Sequence, residues 1–355
     1  MQVLLLLPGT PVAPEALPAH QLVQGQDLHG KAHWFARSEL VNNLLTIEGV
    51  QHALGDGQLL VRHVVGRQSP ANWLRQAMAL RRFCKQHSIE LVHQFWGGPA
   101  AAALALWSPV PYVLSLLGSD LLGDYQADGK PNSRGRWLAL GSRLASLLAS
   151  GVVVMSEQMK SRLAQGVQSK TVVICEGIRL AAFHPMSQSI ARQTLGWPEG
   201  QHVLFFDSDR PVKNRDLAQQ TIALLQQSGS IPLLQAHWIK NVPHAELPLY
   251  YNAADVLLLT SRHEGSNNSV KEALACGCPV VTTDTGDARR WLAYADAGEV
   301  VGEANAKLLA QSLERVLLAR KRAELPALAL QQMDNRYIGG PLVAFYKRVI
   351  SGIGK

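Results

Sequence analysis

The stretch TSRHEGSNNSVKEALACGCPVV, residues 260 to 281, places two carboxylates, Glu264 and Glu272, eight positions apart around one helix start. Glu264 follows the apolar run VLLLTS, so it stands near the carboxyl end of a buried strand, the edge at which open parallel sheets bind ligands. Gly265, Ser266, Asn267 and Asn268 form a small polar turn, and Ser and Asn are good caps for the helical pattern SVKEALACG that follows. A helix start exposes unpaired N–H groups and a partial positive charge, which suits phosphate. Glu272, one turn in, is badly placed for phosphate and well placed to accept hydrogen bonds from hydroxyls, such as the pair on a ribose. A second piece, FFDSDRPVKNRDLA, follows another strand and carries Arg210 and Lys213. Two cations at a strand end neutralise a diphosphate without a metal. A cationic pair, a helix start and two carboxylates together fit cleavage of a sugar–nucleotide bond, with a nucleoside diphosphate as the leaving group.

Each of these residues also has a plainer reading. Glu264 and Glu272 would be a capping carboxylate and a solvated helix residue. Arg210 and Lys213 would be surface cations and Asp120 a turn former. His93, which ends the strand LVHQF, would be an ordinary buried histidine rather than a cleft residue. His263 would be exposed or would support Glu264 from behind.

The elements that must position the site follow a repeated grammar. QVLLLLP, LLVRHVV, ELVHQF, PYVLSLL, GVVVMS and TVVICEG read as strands in the first half, and HVLFFDS, PLLQAHW, VLLLTS, PVVTTD and AGEVV in the second. Helical patterns lie between most of them. Continuous apolar strands separated by helices indicate parallel sheets covered on both faces. The fold class is therefore α/β, with two doubly wound, Rossmann-like domains. The expected division is 1–180, 181–335 and a closing helix over 336–355, whose apolar positions Leu342, Phe345, Tyr346 and Val349 have helical spacing and would pack it back across the domains.

With 355 residues, 47% hydrophobic and 17% charged, the chain can bury two cores and is not disordered. Its four cysteines form no CxxC pair and its twelve histidines are scattered, so no metal site is expected and a reducing cytoplasm is the natural setting. The opening MQVLLLLPGT reads as a first strand rather than a leader. The apolar stretch 99–118 is broken by Pro109 and Pro111, which argues against a membrane span. Of the net charge of +7, +5 lies in residues 1–180, which suits an anionic partner. NSRGRWLALGSRLASLL sets Arg134, Arg136, Arg143 and Trp137 among aliphatics at helical spacing, either a packed helix with a solvated basic face or a surface helix for anionic headgroups.

The sequence resembles the retaining glycosyltransferases of family 4, which have the GT-B fold of two domains facing a cleft. The matching pieces are the two glutamates with EALACGCPVVTTDTGD behind them, the DRPVKN loop, AADVLLLTSRHEGS, LLGSD at 116–120, SEQMKSRL at 156–163 and VVICEGIRLAAFHP. They cover most of residues 90–300. The resemblance implies an enzyme that is metal-independent, needs no cofactor and uses a UDP- or GDP-sugar as donor. Arg210 and Lys213 would contact the donor diphosphate and Glu272 the ribose. Glu264, with Lys213 as its catalytic companion, would face the transferred sugar, and Gly265, Ser266, Asn267 and Asn268 would line sugar and phosphate. Gly118, Ser119 and Asp120 would line the sugar and acceptor cleft of the first domain. The acceptor would be a glycan or a lipid-linked glycan of bacterial surface polysaccharide or lipopolysaccharide, and nucleic acid is not an expected partner. The expected location is cytoplasmic, with peripheral association at the inner face of an anionic plasma membrane as the alternative that the basic charge and the helical stretch with Arg134, Arg136 and Arg143 leave open.

Two departures from the family pattern matter. Its two cations are often further apart than the three positions separating Arg210 from Lys213. It commonly has a histidine before the GSD glycine, where this chain has Leu117. A leucine there favours a donor sugar that lacks a free 6-hydroxyl or turns it away. It also raises the rival of a non-catalytic sugar-nucleotide-binding paralogue. The other rival is a GT-B nucleotide-sugar epimerase, which would need further acid–base residues.

Overall fold

The structure is a computed structural model. It describes all residues except 9, 14, 18–20, 66–68, 127 and 353–355, and the side chains of 36–45 are likewise not described. The final three positions of the expected closing helix thus lie outside the described residues. The chain enters through β1 (Gln2–Pro8) and forms an antiparallel hairpin of β2 (Leu22–Gln26) and β3 (Ala32–Ala36). It then alternates strands and helices through β4 (Gln58–Val64), β5 (Leu91–Phe95), β6 (Tyr112–Leu116), β7 (Gly151–Val154) and β8 (Thr171–Val173). The second half repeats the pattern with β9 (Gln201–Phe206), β10 (Leu234–Ile239), β11 (Val256–Leu259), β12 (Val280–Thr283) and β13 (Glu299–Val301). Every strand expected from the sequence forms. The hairpin was not among them, because LVQGQ has neither a continuous apolar run nor clean alternation. Its turn is closed by Asp27, whose carboxylate accepts the N–H groups of His29 and Lys31.

Apart from the hairpin, the strands pair in parallel, in two sheets of order β4-β1-β5-β6-β7-β8 and β10-β9-β11-β12-β13. The central strand β1 shows why its sequence is unbroken leucine: Val3 to Leu7 are at most 1% exposed, since helices cover both faces. In each sheet the chain builds outward from an early strand and then reverses. The reversal falls between β1 and β5 in the first sheet and between β9 and β11 in the second. The loops leaving such a pair of strands splay apart and leave a crevice at the sheet's carboxyl edge.

The chain divides into two compact units. One comprises Met1–Gly123, Asn132–Gly177 and Asn335–Lys355; the other comprises Asp124–Pro131 and Ile178–Asp334. The division thus falls at Gly177 rather than 180, and a short loop of the first half belongs with the second unit.

The closing helix, Asn335–Ile350, belongs to the first unit and packs on the helix Arg37–Leu54. The two approach backbone to backbone: a Cβ on Gly339 would collide with the carbonyl of Gly49, and one on Gly49 with that of Asn335. Tyr346 of the closing helix then reaches into the sheet. Its hydroxyl lies 2.6 Å from His93 Nδ1, and His93 Nε2 lies 2.7 Å from Ser115 Oγ. His93 is completely buried, and that burial lowers it to about 3. It is a neutral, structural histidine, as its plainer reading held. Among the described residues no helix is long and apolar enough to cross a membrane.

Replacing Gly339 with valine should therefore unseat the closing helix. Urea unfolding should show a loss of about 1–3 kcal/mol from overpacking, and limited proteolysis should cut within 335–350. Gly340→Ala, whose Cβ meets open space, should stay within about 0.5 kcal/mol of the parent. Equal effects at the two positions would refute the close crossing.

Candidate active site

The reversal between β9 and β11 brings the two sequence-separated pieces together. After β9 the chain runs through a single 3-10 turn, Pro211–Lys213, and Asn214, with φ 53°, starts the helix Arg215–Ser228. Proline at the first position of the turn is preset for it. This loop is stitched to the end of β11. Thr260 Oγ1 donates to the carbonyls of Lys213 (2.9 Å) and Asn214 (3.1 Å), the Arg262 N–H donates to the carbonyl of Val212 (2.8 Å), and the Arg262 guanidinium donates to Asn214 Oδ1 (2.9 Å).

The stitching sets Lys213 Nζ 2.7 Å from Glu264 Oε1, with the two side chains 27% and 16% exposed. Burial by itself would raise the Glu264 carboxyl. The Lys213 ammonium, helped by Ser261 and Arg210, outweighs it and holds the group below the usual carboxylate range. Glu264 is therefore ionised at neutral pH. It can accept hydrogen bonds and oppose positive charge, but it has no proton to donate. Arg210 stands exposed at the head of the same loop.

The turn after Glu264 opens the helix Asn268–Ala275. Asn267 is the residue before it, but its side chain does not cap the helix. Asp287, from the turn after β12, takes over. Its Oδ1 accepts the Asn267 N–H at 2.9 Å, and its Oδ2 accepts the hydroxyl of Ser266 and the indole N–H of Trp291, both at 2.7 Å. Ser266 in turn accepts from Nζ of the fully buried Lys271 at 2.8 Å. Lys271, Ser266 and Asp287 form one polar chain under the turn, with the cation and the anion bridged by a hydroxyl. Gly286 lets the two turns touch: its φ of +62° and the carbonyl of Gly265, 3.0 Å from where a Cβ would sit, both exclude a side chain. Nδ2 of Asn267 and Oγ1 of Thr285 are buried here without a protein hydrogen-bond partner. Such groups are normally satisfied, so both are ready for a ligand or water.

Glu272 lies on that helix and is buried. Both its oxygens are engaged. The Tyr251 hydroxyl donates to Oε2 at 2.9 Å, and His244 Nε2 lies 2.9 Å from Oε1. His244 sits on the short turn His244–Glu246, with its ring edge-on to Phe183 at 5.2 Å. The hydrogen bond to Glu272 raises His244 above its ordinary value, against burial and Arg179.

In the first unit, the loop after β6 contains Leu117, Gly118, Ser119 and Asp120. Asp120 has no exposed surface. Its carboxylate accepts the N–H groups of Gly97, Leu117 and Gly118 at 2.8 to 3.2 Å, tying the turn after β5 to the turn after β6. Burial raises its pKa on balance, although those N–H groups pull the other way. Asp120 is thus a brace rather than a cleft-lining group, and of the three residues expected there only Ser119 keeps appreciable exposure. The Leu117 side chain is half-buried against the sheet's core.

The structure therefore assembles Lys213, Glu264, Gly265, Ser266, Asn267, Asn268 and Glu272 on two adjacent strand-end loops, with Arg210 at their rim. Asp287, Lys271, Tyr251 and His244, which brace or contact this cluster, were not among the residues expected from the sequence. Asp287 was in view, as the last residue of the DTGD flank. Lys271 carried no signal, since a lysine beside a glutamate reads as solvated. Tyr251 and His244 reach Glu272 only through the fold.

Residues 49–182 match the family model described as Glycosyltransferase Family 4, and residues 232–327 match that described as Glycosyl transferases group 1. The chain is 28% identical over 234 residues to the putative teichuronic acid biosynthesis glycosyltransferase TuaC of Bacillus subtilis, which covers 60% of this chain. It spans only 58% of the length of that relative. Among solved structures it is similar to a glycosyltransferase from Rickettsia africae, with a TM-score of 0.66 and 16% identity over 98% of both chains. It is similar also to Anabaena Alr3699/HepE in complex with UDP-glucose, with a TM-score of 0.64 and 17% identity over 98% of this chain and 99% of that one.

The Lys213–Glu264 pair should behave as a coupled unit. Lys213→Met leaves a partly buried carboxylate alone and should cost about 1–3 kcal/mol. Adding Glu264→Gln should recover at least ~1 kcal/mol of that loss in a double-mutant cycle read by urea unfolding. Simple additivity would show that the 2.7 Å contact contributes nothing.

Proposed function

Because the chain belongs to the family 4 glycosyltransferases, which have the GT-B fold, we propose that it moves a sugar from a nucleoside-diphosphate donor to a hydroxyl of a glycan or lipid-linked acceptor, with retention at the anomeric carbon. The observation that carries this reading is the meeting of Lys213 and Glu264 at the reversal of the second sheet, between two helix starts. Lys213 and Arg210 bind the diphosphate, together with the first-turn N–H groups of the Asn268–Ala275 helix. The ribose hydroxyls replace the His244 contact on Glu272. The sugar lies toward Glu264, with Asn267 and Ser266 beneath it.

The chemistry is one of charge placement. As the bond from the sugar carbon to the diphosphate oxygen breaks, negative charge grows on the leaving oxygen and positive charge on the sugar ring. Lys213 and Arg210 oppose the first and the Glu264 carboxylate the second, and both are fixed before the reaction, so little reorganisation is needed. The acceptor oxygen bonds to the same carbon from the same face, and its proton passes to the departing phosphate oxygen.

Several observations support the finer choices. A similar structure was solved with UDP-glucose, which favours a UDP-sugar donor. The name of the Bacillus relative points to surface polysaccharide synthesis. All four cysteines are free and buried, in keeping with a reducing cytoplasm. A non-catalytic, sugar-nucleotide-binding role is the second reading, favoured by Leu117 and by a Glu272 whose oxygens already have partners.

Titration with UDP, GDP, ADP and their sugars, including 6-deoxy donors, tests the reading directly. Lys213→Ala and Glu272→Ala should each weaken nucleotide binding by about 1.5–3 kcal/mol, the value of a charge-assisted contact. Glu264→Gln should depress turnover more than affinity, and activity should survive EDTA. Tight binding without any release of nucleoside diphosphate would favour the non-catalytic reading; no binding at all would refute both.

The site also sets a pH dependence. His244 is raised by Glu272, so its proton is held in the free site and is lost when a ribose takes Oε1. Nucleotide affinity should therefore rise with pH until the raised His244 value is passed, then level off. His244→Ala should flatten the slope. Calorimetry in buffers of different ionisation enthalpy should show proton release on binding; proton uptake would reverse the assignment.

A further inference from the structure

Nine of the eighteen exposed large apolar side chains among the described residues lie on three helices of the first unit. These are Pro70–Gln86, Pro99–Trp107 and Ser133–Leu148. They pack side by side, the middle one touching both others. The middle helix and the third approach closely because Gly141 has no side chain; a Cβ there would strike Pro99. An open groove of about 320 Å³ lies along them, lined by aliphatic and tryptophan side chains and by Pro99 and Gly141 at the crossing. Trp73, Trp107 and Trp137 come from the three helices to line it. Trp137 is 70% exposed, and Leu106, Leu147 and Leu140 are between 56% and 59% exposed. An apolar surface of this kind on a folded chain marks an interaction site.

The charge around it identifies the occupant. The three helices contain no aspartate or glutamate. The first carries exposed Arg75, Arg81, Arg82 and Lys85, and the third exposed Arg134, Arg136 and Arg143. At 100° per residue, Trp137, Leu140, Leu144 and Leu148 form one stripe of the third helix. Arg136 and Arg143 border that stripe on one side and Arg134 on the other. A second copy of this chain would bring seven cations against the same seven. An acyl layer under anionic headgroups satisfies both the stripe and its borders, with tryptophan at the interface between them. We propose that this three-helix face docks on an anionic lipid bilayer, the tryptophans and leucines entering the headgroup–acyl boundary and the arginines contacting lipid phosphates. The surface stands independently of the donor site, which lies in the other unit.

Sedimentation with vesicles decides the matter, comparing pure phosphatidylcholine with vesicles in which a third of the lipid is phosphatidylglycerol. The protein should bind the anionic vesicles, and salt should weaken the binding. Neutralising Arg134, Arg136 and Arg143 together as glutamine should lower partitioning about tenfold or more. Leu140→Ser with Leu144→Ser should lower it about tenfold. Leu318→Ser, an equally exposed leucine of the second unit, should change nothing, and thermal unfolding should show all variants folded. The proposal is overturned if the parent does not bind anionic vesicles, or if it binds neutral ones equally well. It is also overturned if light scattering shows a dimer that the double leucine variant dissociates.

Discussion

A buried carboxylate holds the functional edge of each sheet together. Parallel sheets gather all their strand ends on one edge, and the loops leaving that edge carry backbone N–H groups that no strand can satisfy. Asp120 collects three of them from the turns after β5 and β6. Asp287 collects the Asn267 N–H, the Ser266 hydroxyl and the Trp291 indole. Each aspartate follows one strand and ties down the loop of its neighbour. Removing either would leave several buried donors without acceptors at once, which is the costly side of hydrogen bonding. These strand-end loops are therefore fixed from beneath by buried carboxylates.

Above the second of these braces, electrostatics divides the labour between two glutamates of the same helix-start element. Glu264 has a cation for a neighbour, which keeps it ionised despite burial. Glu272 instead has a tyrosine hydroxyl and a histidine, donors of the kind that two sugar hydroxyls would replace. The same side chain in two settings gives one carboxylate paired with a cation and one held by a hydroxyl and an imidazole. The buried Lys271 belongs to this logic: its charge meets Asp287 through the Ser266 hydroxyl, so the turn between the glutamates is held by an ion pair with a hydroxyl as spacer.

In the first unit the decisive constraint is steric. Gly49 with Gly339 and Gly141 with Pro99 bring helices so close that backbones touch. One contact seats the closing helix and lets Tyr346 reach His93. The other fixes two helices that line the tryptophan groove. Small residues thus set both a structural contact and a surface.

The sequence by itself determined the two parallel sheets, because a strand buried on both faces must read as a continuous apolar run, and eleven such runs are present in the form that the sheets use. It also pointed to the loops of the candidate site, since Lys213, Glu264 and Glu272 stand beside strand ends and a helix start, and local order is enough to find such places. It missed the β2–β3 hairpin, whose pattern is weak, and it gave Asp120 to the cleft when the fold buries it completely. Only the tertiary structure decided that Lys213 and Glu264, fifty-one positions apart, meet at 2.7 Å. Only it decided that Asp287 rather than Asn267 secures the helix start, and that Tyr251 and His244 hold Glu272. Periodicity records which face of an element is buried, and that is a property of neighbouring residues. Which loop lies against which depends on strand order, and strand order is set by how whole sheets close their cores.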